Sequence, residues 1–191
     1  MKNSFVFLIV IQVIVFGLLS AKAHAAIVDI DAFYESDDLA TTSTATEGKT
    51  IFSGFVGVAM DKKGSYSIGW NYASYSTSSK PTTTTTTYTS SQMGPGAIFY
   101  FGKHDWRLGF AYNLVTSASY AVSGSTTKTW SGTGMSADFG YQFQISDGFG
   151  LGLRLNYSSS SFSSQLVNTT YTTISYSKTL IYPSVAMTFE F

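Results

Sequence analysis

The chain has 191 residues, a formal net charge of zero, 12% charged and 16% aromatic residues, and no cysteine. Soluble domains carry about 25% charged residues, so half the usual solvating charge is missing and something other than water must face much of the surface. Zero net charge argues against a nucleic-acid partner, which needs a concentrated excess of Lys and Arg; the lack of cysteine excludes disulfides, thiolate metal sites and a lipidated N-terminal Cys.

Lys2 precedes an apolar run from Phe5 to Leu19, and Ala23-His24-Ala25 has the small-x-small pattern of a signal-peptidase site. The run is shorter than the roughly 20 apolar residues a spanning helix needs. Residues 1–25 are therefore expected to be a cleaved signal peptide and 26–191 a single domain. After residue 25 no window resembles a membrane helix, so any spanning must be done by strands.

From Ala26 onward, segments of about ten alternating residues recur, separated by long Ser/Thr-rich and short Gly/Asp-rich connections in turn. The first strand, Ile27 to Ser36, puts Val28, Ile30, Ala32 and Tyr34 on one face and Asp29, Asp31, Phe33 and Glu35 on the other. Three carboxylates on one face cannot point into lipid, so that face is inward. Thr50 to Met60 shows Phe52, Val56, Val58 and Met60 outward, and Asp61-Lys62-Lys63-Gly64 is a tight turn. In the third strand Tyr66, Ile68, Trp70 and Tyr72 alternate with small or polar residues; Ser74 to Ser90 has no apolar face and reads as an exposed loop or an extended hairpin. The fourth strand carries Pro95, Ala97, Phe99 and Phe101 outward, and Pro95, which lacks a ladder donor, predicts a bulge.

The fifth strand opposes Trp106, Leu108, Phe110, Tyr112 and Leu114 to Arg107, Gly109, Ala111 and Asn113. A loop from about Thr116 to Thr133 leads to the sixth, with Met135, Ala137, Phe139, Tyr141 and Phe143 outward. Ser146-Asp147-Gly148 turns into the seventh, where Phe149, Leu151, Leu153, Leu155 and Tyr157 oppose Gly150, Gly152, Arg154 and Asn156. A loop from Ser158 to about Tyr176 precedes the closing strand, Leu180 to Phe191. There Ile181, Pro183, Val185, Met187, Phe189 and Phe191 keep a strict two-residue period.

Eight strands alternating long and short connections make an all-β, eight-stranded antiparallel up-and-down transmembrane β-barrel, with short periplasmic turns and long extracellular loops. Both termini then fall on the periplasmic side. Upward strands end in outward Tyr34, Tyr72, Tyr112 and Tyr157, and Tyr66, Trp106, Phe143, Phe149 and Phe191 supply a second girdle, at the heights amphipathic rings prefer. A soluble cup would have the opposite pattern, with charges outside. The aromatic end of the last strand resembles the signature read by the barrel-insertion machinery of Gram-negative bacteria. The whole of 26–191 resembles, in pattern, the small eight-stranded outer-membrane proteins: the OmpX type, the OmpA membrane domain, the OmpW type and the opacity adhesins. The resemblance implies a fold and the bacterial outer membrane, with lipid and lipopolysaccharide around it. It leaves function open, since functions in that group diverge.

An eight-stranded lumen is just wide enough for side chains to fill. Its polar candidates are Asp29, Asp31, Glu35, Arg107, Asp138, Arg154 and Glu190, with an ion pair expected between Asp138 and Arg154 on neighbouring strands. Outer-membrane lipid A deacylases and palmitoyltransferases are similar in size and use a histidine near the outer leaflet. Here His24 leaves with the signal peptide and His104 sits in a periplasmic turn, so no catalytic residue is expected. No cofactor and no metal are expected either: Gly148-Phe149-Gly150-Leu151-Gly152 opens a strand rather than cradling phosphate, and Asp37, Asp38 and Glu47 read as a solvated loop. The loops, tipped by Tyr88, Tyr120, Trp130, Phe162 and Tyr171, could meet a host or cell-surface partner. The expected function is a non-enzymatic surface barrel, structural or adhesion-type; the alternative is a narrow channel of the OmpW type for small or hydrophobic solutes.

Overall fold

The computed structural model describes residues 26–38, 45–61, 63–81, 84–103 and 105–191. The expected signal peptide, His24 and His104 lie outside the described residues.

Eight strands follow in chain order: β1 (Ala26–Asp38), β2 (Ala45–Ala59), β3 (Tyr66–Pro81), β4 (Thr86–Phe101), β5 (Trp106–Val122), β6 (Lys128–Ser146), β7 (Phe149–Val167) and β8 (Thr170–Glu190). Each pairs antiparallel with its sequence neighbours, and β1 pairs with β8 to close the barrel. The side-chain period read from the sequence sets which face is inside: in β7 every second residue from Gly150 to Phe162 is buried, and Leu151, Leu153, Leu155 and Tyr157 between them are exposed. The bulge expected at Pro95 is present as a register shift between Met93 and Gly96 against β5. A second shift, between Asn113 and Thr116, leaves Leu114 and Val115 both outside and moves the buried positions of β5 from odd to even numbers.

The segments read as loops at 116–133 and 158–176 are for the most part strand. A spanning strand needs about 9–11 residues, whereas β6, β7 and β8 have 19, 19 and 21. Their upper halves therefore project beyond the apolar band as a continuation of the sheet. Ser and Thr there find ladder partners, on both sides in β6 and β7 and on the β7 side in β8, which their composition alone did not reveal. What remains as connection is short: Val167 and Thr170 are paired across Asn168-Thr169, with Asn168 at φ 54°. Asn tolerates that left-handed conformation and a β-branched residue does not.

The lumen is layered. Near the lower rim Ile27, Phe55, Ile98 and Tyr100 form one buried cluster. Above the charged middle, Ile51, Tyr75, Tyr88, Ala118, Phe162 and Tyr182 form another, flanked by Phe33, Tyr120, Trp130, Ile174 and Leu180. The expected outcome for Asn168→Val is local: about 1–3 kcal/mol of strain should speed amide exchange at Leu166–Tyr171 and leave exchange in the lower barrel unchanged.

Candidate functional site

The middle of the lumen holds a cluster of charges contributed by four strands. Asp29 and Asp31 stand two residues apart on β1, hence on one face, and both are buried. Arg154 of β7 reaches across β8 to them: its Nη2 donates to Asp29 Oδ2 at 2.6 Å and its Nη1 to Asp31 Oδ1 at 2.8 Å. Thr188 and Ser184 of β8 lie beneath this span, at 3.0 Å from Asp29 Oδ2 and 3.2 Å from Asp31 Oδ1. Ser53 of β2 donates to Asp31 from the other side at 3.1 Å. Arg107 of β5 donates to Asp138 of β6, and its Nε lies 3.6 Å from Asp29 Oδ2.

Two glycines make this cluster possible. Gly140 is in register with Arg107 on one side and Arg154 on the other; a Cβ there would come within 2.6 Å of Arg154 Cγ. Gly109 faces Asp138, and a Cβ on it would collide with the carboxylate. Small residues thus leave the volume that two guanidinium groups and three carboxylates fill.

The ion pair expected between Asp138 and Arg154 is not formed. Asp138 is in register with Asn156, and Arg154 with Gly140, so the two lie diagonally offset, and each turns to a partner on its other side. Glu35 is exposed at the upper rim, where Lys49 of β2 donates to it at 3.2 Å and lies 4.0 Å from Glu47. That hydrogen bond to Glu35 holds Lys49 above the usual lysine value. Glu190 is half-buried at the lower end of β8, next to the closing pair Ala26 and Phe191. Asp37 is in register with Glu47 and Asp38 with Thr46; among the described residues no cluster of His, Cys, Asp and Glu could hold a metal.

A second polar set escaped the reading of the sequence. Gln92 of β4 donates to Ser158 and Ser160 of β7 at 3.0 and 2.8 Å, straight across the lumen, and accepts from Asn113 at 2.7 Å. Gln142 lies 3.0 Å from the Thr188 hydroxyl. The only trace of these residues in the sequence is an amide or hydroxyl on an inward position. Between the polar groups is a cavity of about 30 Å³, lined by Asp31, Arg107, Asp138, Asn156 and Tyr182 among others; that is about the volume of one water molecule.

Among the outward aromatics, Tyr34, Tyr112 and Tyr157 are exposed and Tyr72 is half-buried. At the other rim Tyr66 stacks on Phe99 with centroids 4.8 Å apart, Trp106 meets Tyr141 edge-on at 5.0 Å, and Phe149 packs on Phe189 at 5.2 Å; Phe143 and Phe191 are exposed. High in the lumen, Lys178 points inward from β8, its ammonium 3.5 Å from the Tyr88 ring centroid and 4.7 Å from that of Tyr75. Burial there lowers the Lys178 pKa below the usual lysine value.

The fold is that of the small outer-membrane β-barrels. Neisserial surface protein A is similar, with a TM-score of 0.53 and 17% identity over 88% of this chain and 98% of that one. Ail, the attachment invasion locus protein of Yersinia pestis, solved in complex with the heparin analogue sucrose octasulfate, aligns at a TM-score of 0.44 and 10% identity over 87% and 96%. No protein-family model matches the sequence, and none of the curated proteins compared with it matches.

Removing one member of the charged cluster leaves its partner buried and uncompensated, at a cost of about 3–5 kcal/mol. Asp29→Ala and Arg154→Met should each lower the midpoint of urea unfolding of the refolded barrel. The double variant should lose less than the sum of the two, and strict additivity would show that the pair does not act as a unit.

Proposed function

We propose that this chain is a non-enzymatic surface barrel of the bacterial outer membrane, adhesion-type, which presents a sheet rather than flexible loops to the outside. In this reading residues 1–25 are a signal peptide, both termini of the mature barrel are periplasmic, and the closing strand with Phe191 is the segment handed to the insertion machinery. Lipid and lipopolysaccharide surround the band between the two aromatic girdles.

The observation that carries the reading is the combination of an apolar outside with a projecting, incompletely paired edge. Leu153, Leu155 and Val185 are 60, 57 and 58% exposed, within an encircling apolar surface much larger than the patches soluble monomers leave in water. Above it β8 continues to Thr170 with β7 as partner, but β1 follows it only as far as Ala32 opposite Val185. Among the described residues the other edge of β8 has no ladder partner, and an open edge is a template for an extended segment of another protein. A lumen occupied by two buried apolar clusters with an ion cluster between them supports a surface role over a conducting channel.

Two measurements test this. Ser177→Pro together with Thr179→Pro removes N–H groups that point away from β7, so the barrel should fold while cell attachment conferred by the protein falls; unchanged attachment would count against the edge as the binding element. In planar bilayers the wild-type barrel should show no steady unitary current, and a regular conductance would favour the narrow-channel alternative.

A further inference from the structure

The seam between β1 and β8 stops early for a reason that can be read from the backbone. Ala26 and Phe191 exchange both hydrogen bonds, N to O at 3.1 and 2.9 Å. In an antiparallel ladder such mutually bonded pairs recur at every second position, so along this register they are Val28 with Phe189, Ile30 with Met187 and Ala32 with Val185. The next would be Tyr34 with Pro183. Proline has no N–H to give, and the pairing ends at Ala32 and Val185.

Beyond that point no described residue pairs with β8 on its β1 side. A pocket of about 500 Å³, in the range of about 300–1,000 Å³ typical of small-molecule sites, is lined by residues from both sides of the wall. Tyr34, Ile181 and Pro183 belong to the outer face; Phe33, Ile51, Tyr75 and Tyr182 belong to the lumen. The opening therefore joins the outer surface, at the height of the upper tyrosine girdle, to the apolar upper lumen. Below, the charged cluster closes it. At its mouth lie Lys49 and Glu35, with Glu47 behind them, so both signs of charge are available within one turn of a head group.

We propose that this opening is a lateral port that holds one acyl chain of a zwitterionic phospholipid, with the chain among Phe33, Ile51, Tyr75 and Leu180. The head group's phosphate would meet Lys49 and its ammonium group the carboxylates of Glu35 and Glu47. The occupant is a membrane lipid because the port opens onto the face where Tyr34 and Ile181 are 72 and 69% exposed. An apolar chain fits a lining that beyond the mouth carries no charged side chain and has tyrosine hydroxyls as its polar side-chain atoms. The inference rests on the outer-membrane placement proposed above.

The test is photo-crosslinking of the full barrel in vesicles of phosphatidylethanolamine and phosphatidylcholine containing a phosphatidylcholine with a diazirine at the end of one acyl chain, followed by mass-spectrometric mapping. Chain ends belong at the bilayer centre, so adducts on Ile51, Tyr75 or Tyr182 require a chain inside the barrel. In the wild type these should appear beside adducts on outward residues such as Leu153 and Val185. Pro183→Val, which restores the missing donor, should abolish the lumenal adducts and keep the outward ones; Leu180→Gln, which leaves the ladder untouched, should weaken the lumenal adducts alone. Outward adducts without lumenal ones in the wild type would overturn the port, whereas absence of outward adducts as well would instead sink the membrane placement. Disulfide-linked dimers of an Ile181→Cys variant, unambiguous in a chain without cysteine, would place a second copy at the seam and also overturn it.

Discussion

The barrel depends on closing one short seam. Strand pairs elsewhere run long, eighteen register pairs between β7 and β8, but β1 meets β8 over only six. In an apolar medium an open edge leaves several backbone groups without partners, each costing several kcal/mol, so those six pairs decide whether the sheet is a barrel or a curled ribbon. The charged cluster sits against the inside of this seam. Arg154 belongs to β7, its carboxylate partners to β1, and Thr188 and Ser184 of β8 bridge the same groups. The cluster is a clamp across three strands at the place where the ladder is shortest.

Such a clamp acts more through register than through net stability. Buried ion pairs roughly repay their desolvation and often no more. A slip of β1 by one residue against β8, however, would turn Asp29 and Asp31 outward into the apolar band and leave Arg154 without its carboxylate partners. The cost of that error is large even where the gain from the right pairing is modest. The glycines opposite the charges serve the same end. With Gly109 and Gly140 in place the guanidinium and carboxylate groups fit in one register, and displaced registers bring side chains against them.

Much of this was legible in the sequence because a strand's period of two is unforgiving. Each inward and outward assignment from Asp29 through Arg107 to Thr188 follows from alternation, and alternation is local. Which charges would pair was not legible. Asp138 and Arg154 are on adjacent strands at similar distance from a turn, but the register offset places Gly140 opposite Arg154 and Asn156 opposite Asp138; a two-residue offset is beyond what counting from a turn can fix when a bulge intervenes at Gln144 and Ser146. Nor could the upper strands be read. Tracts such as Ser158 to Ser161 carry no apolar period, and they are strand because Thr133–Ser136 and Ser177–Leu180 on either side template them. Pro95 and Pro183 look alike in the sequence, and both interrupt pairing, but only the position at the closing seam turns the interruption into an opening in the wall.

That difference follows from where each proline's missing donor points and from who stands opposite. Pro95 sits between two long strands, and β4 recovers its register with β5 two residues away because β5 carries on past the bulge. Pro183 faces β1, which the structure describes as far as Asp38. There is little ladder left above Tyr34 to repay re-forming the pair, and on the lumenal side Phe33 of β1 and Tyr182 of β8 meet across the gap through their rings alone, centroids 6.1 Å apart. Once the donor at 183 is missing, further growth of β1 would gain contacts on its β2 side alone, while β8 keeps β7 as a template to Val167. One residue without an N–H thus ends the seam and, among the described residues, leaves the edge above it without a ladder partner.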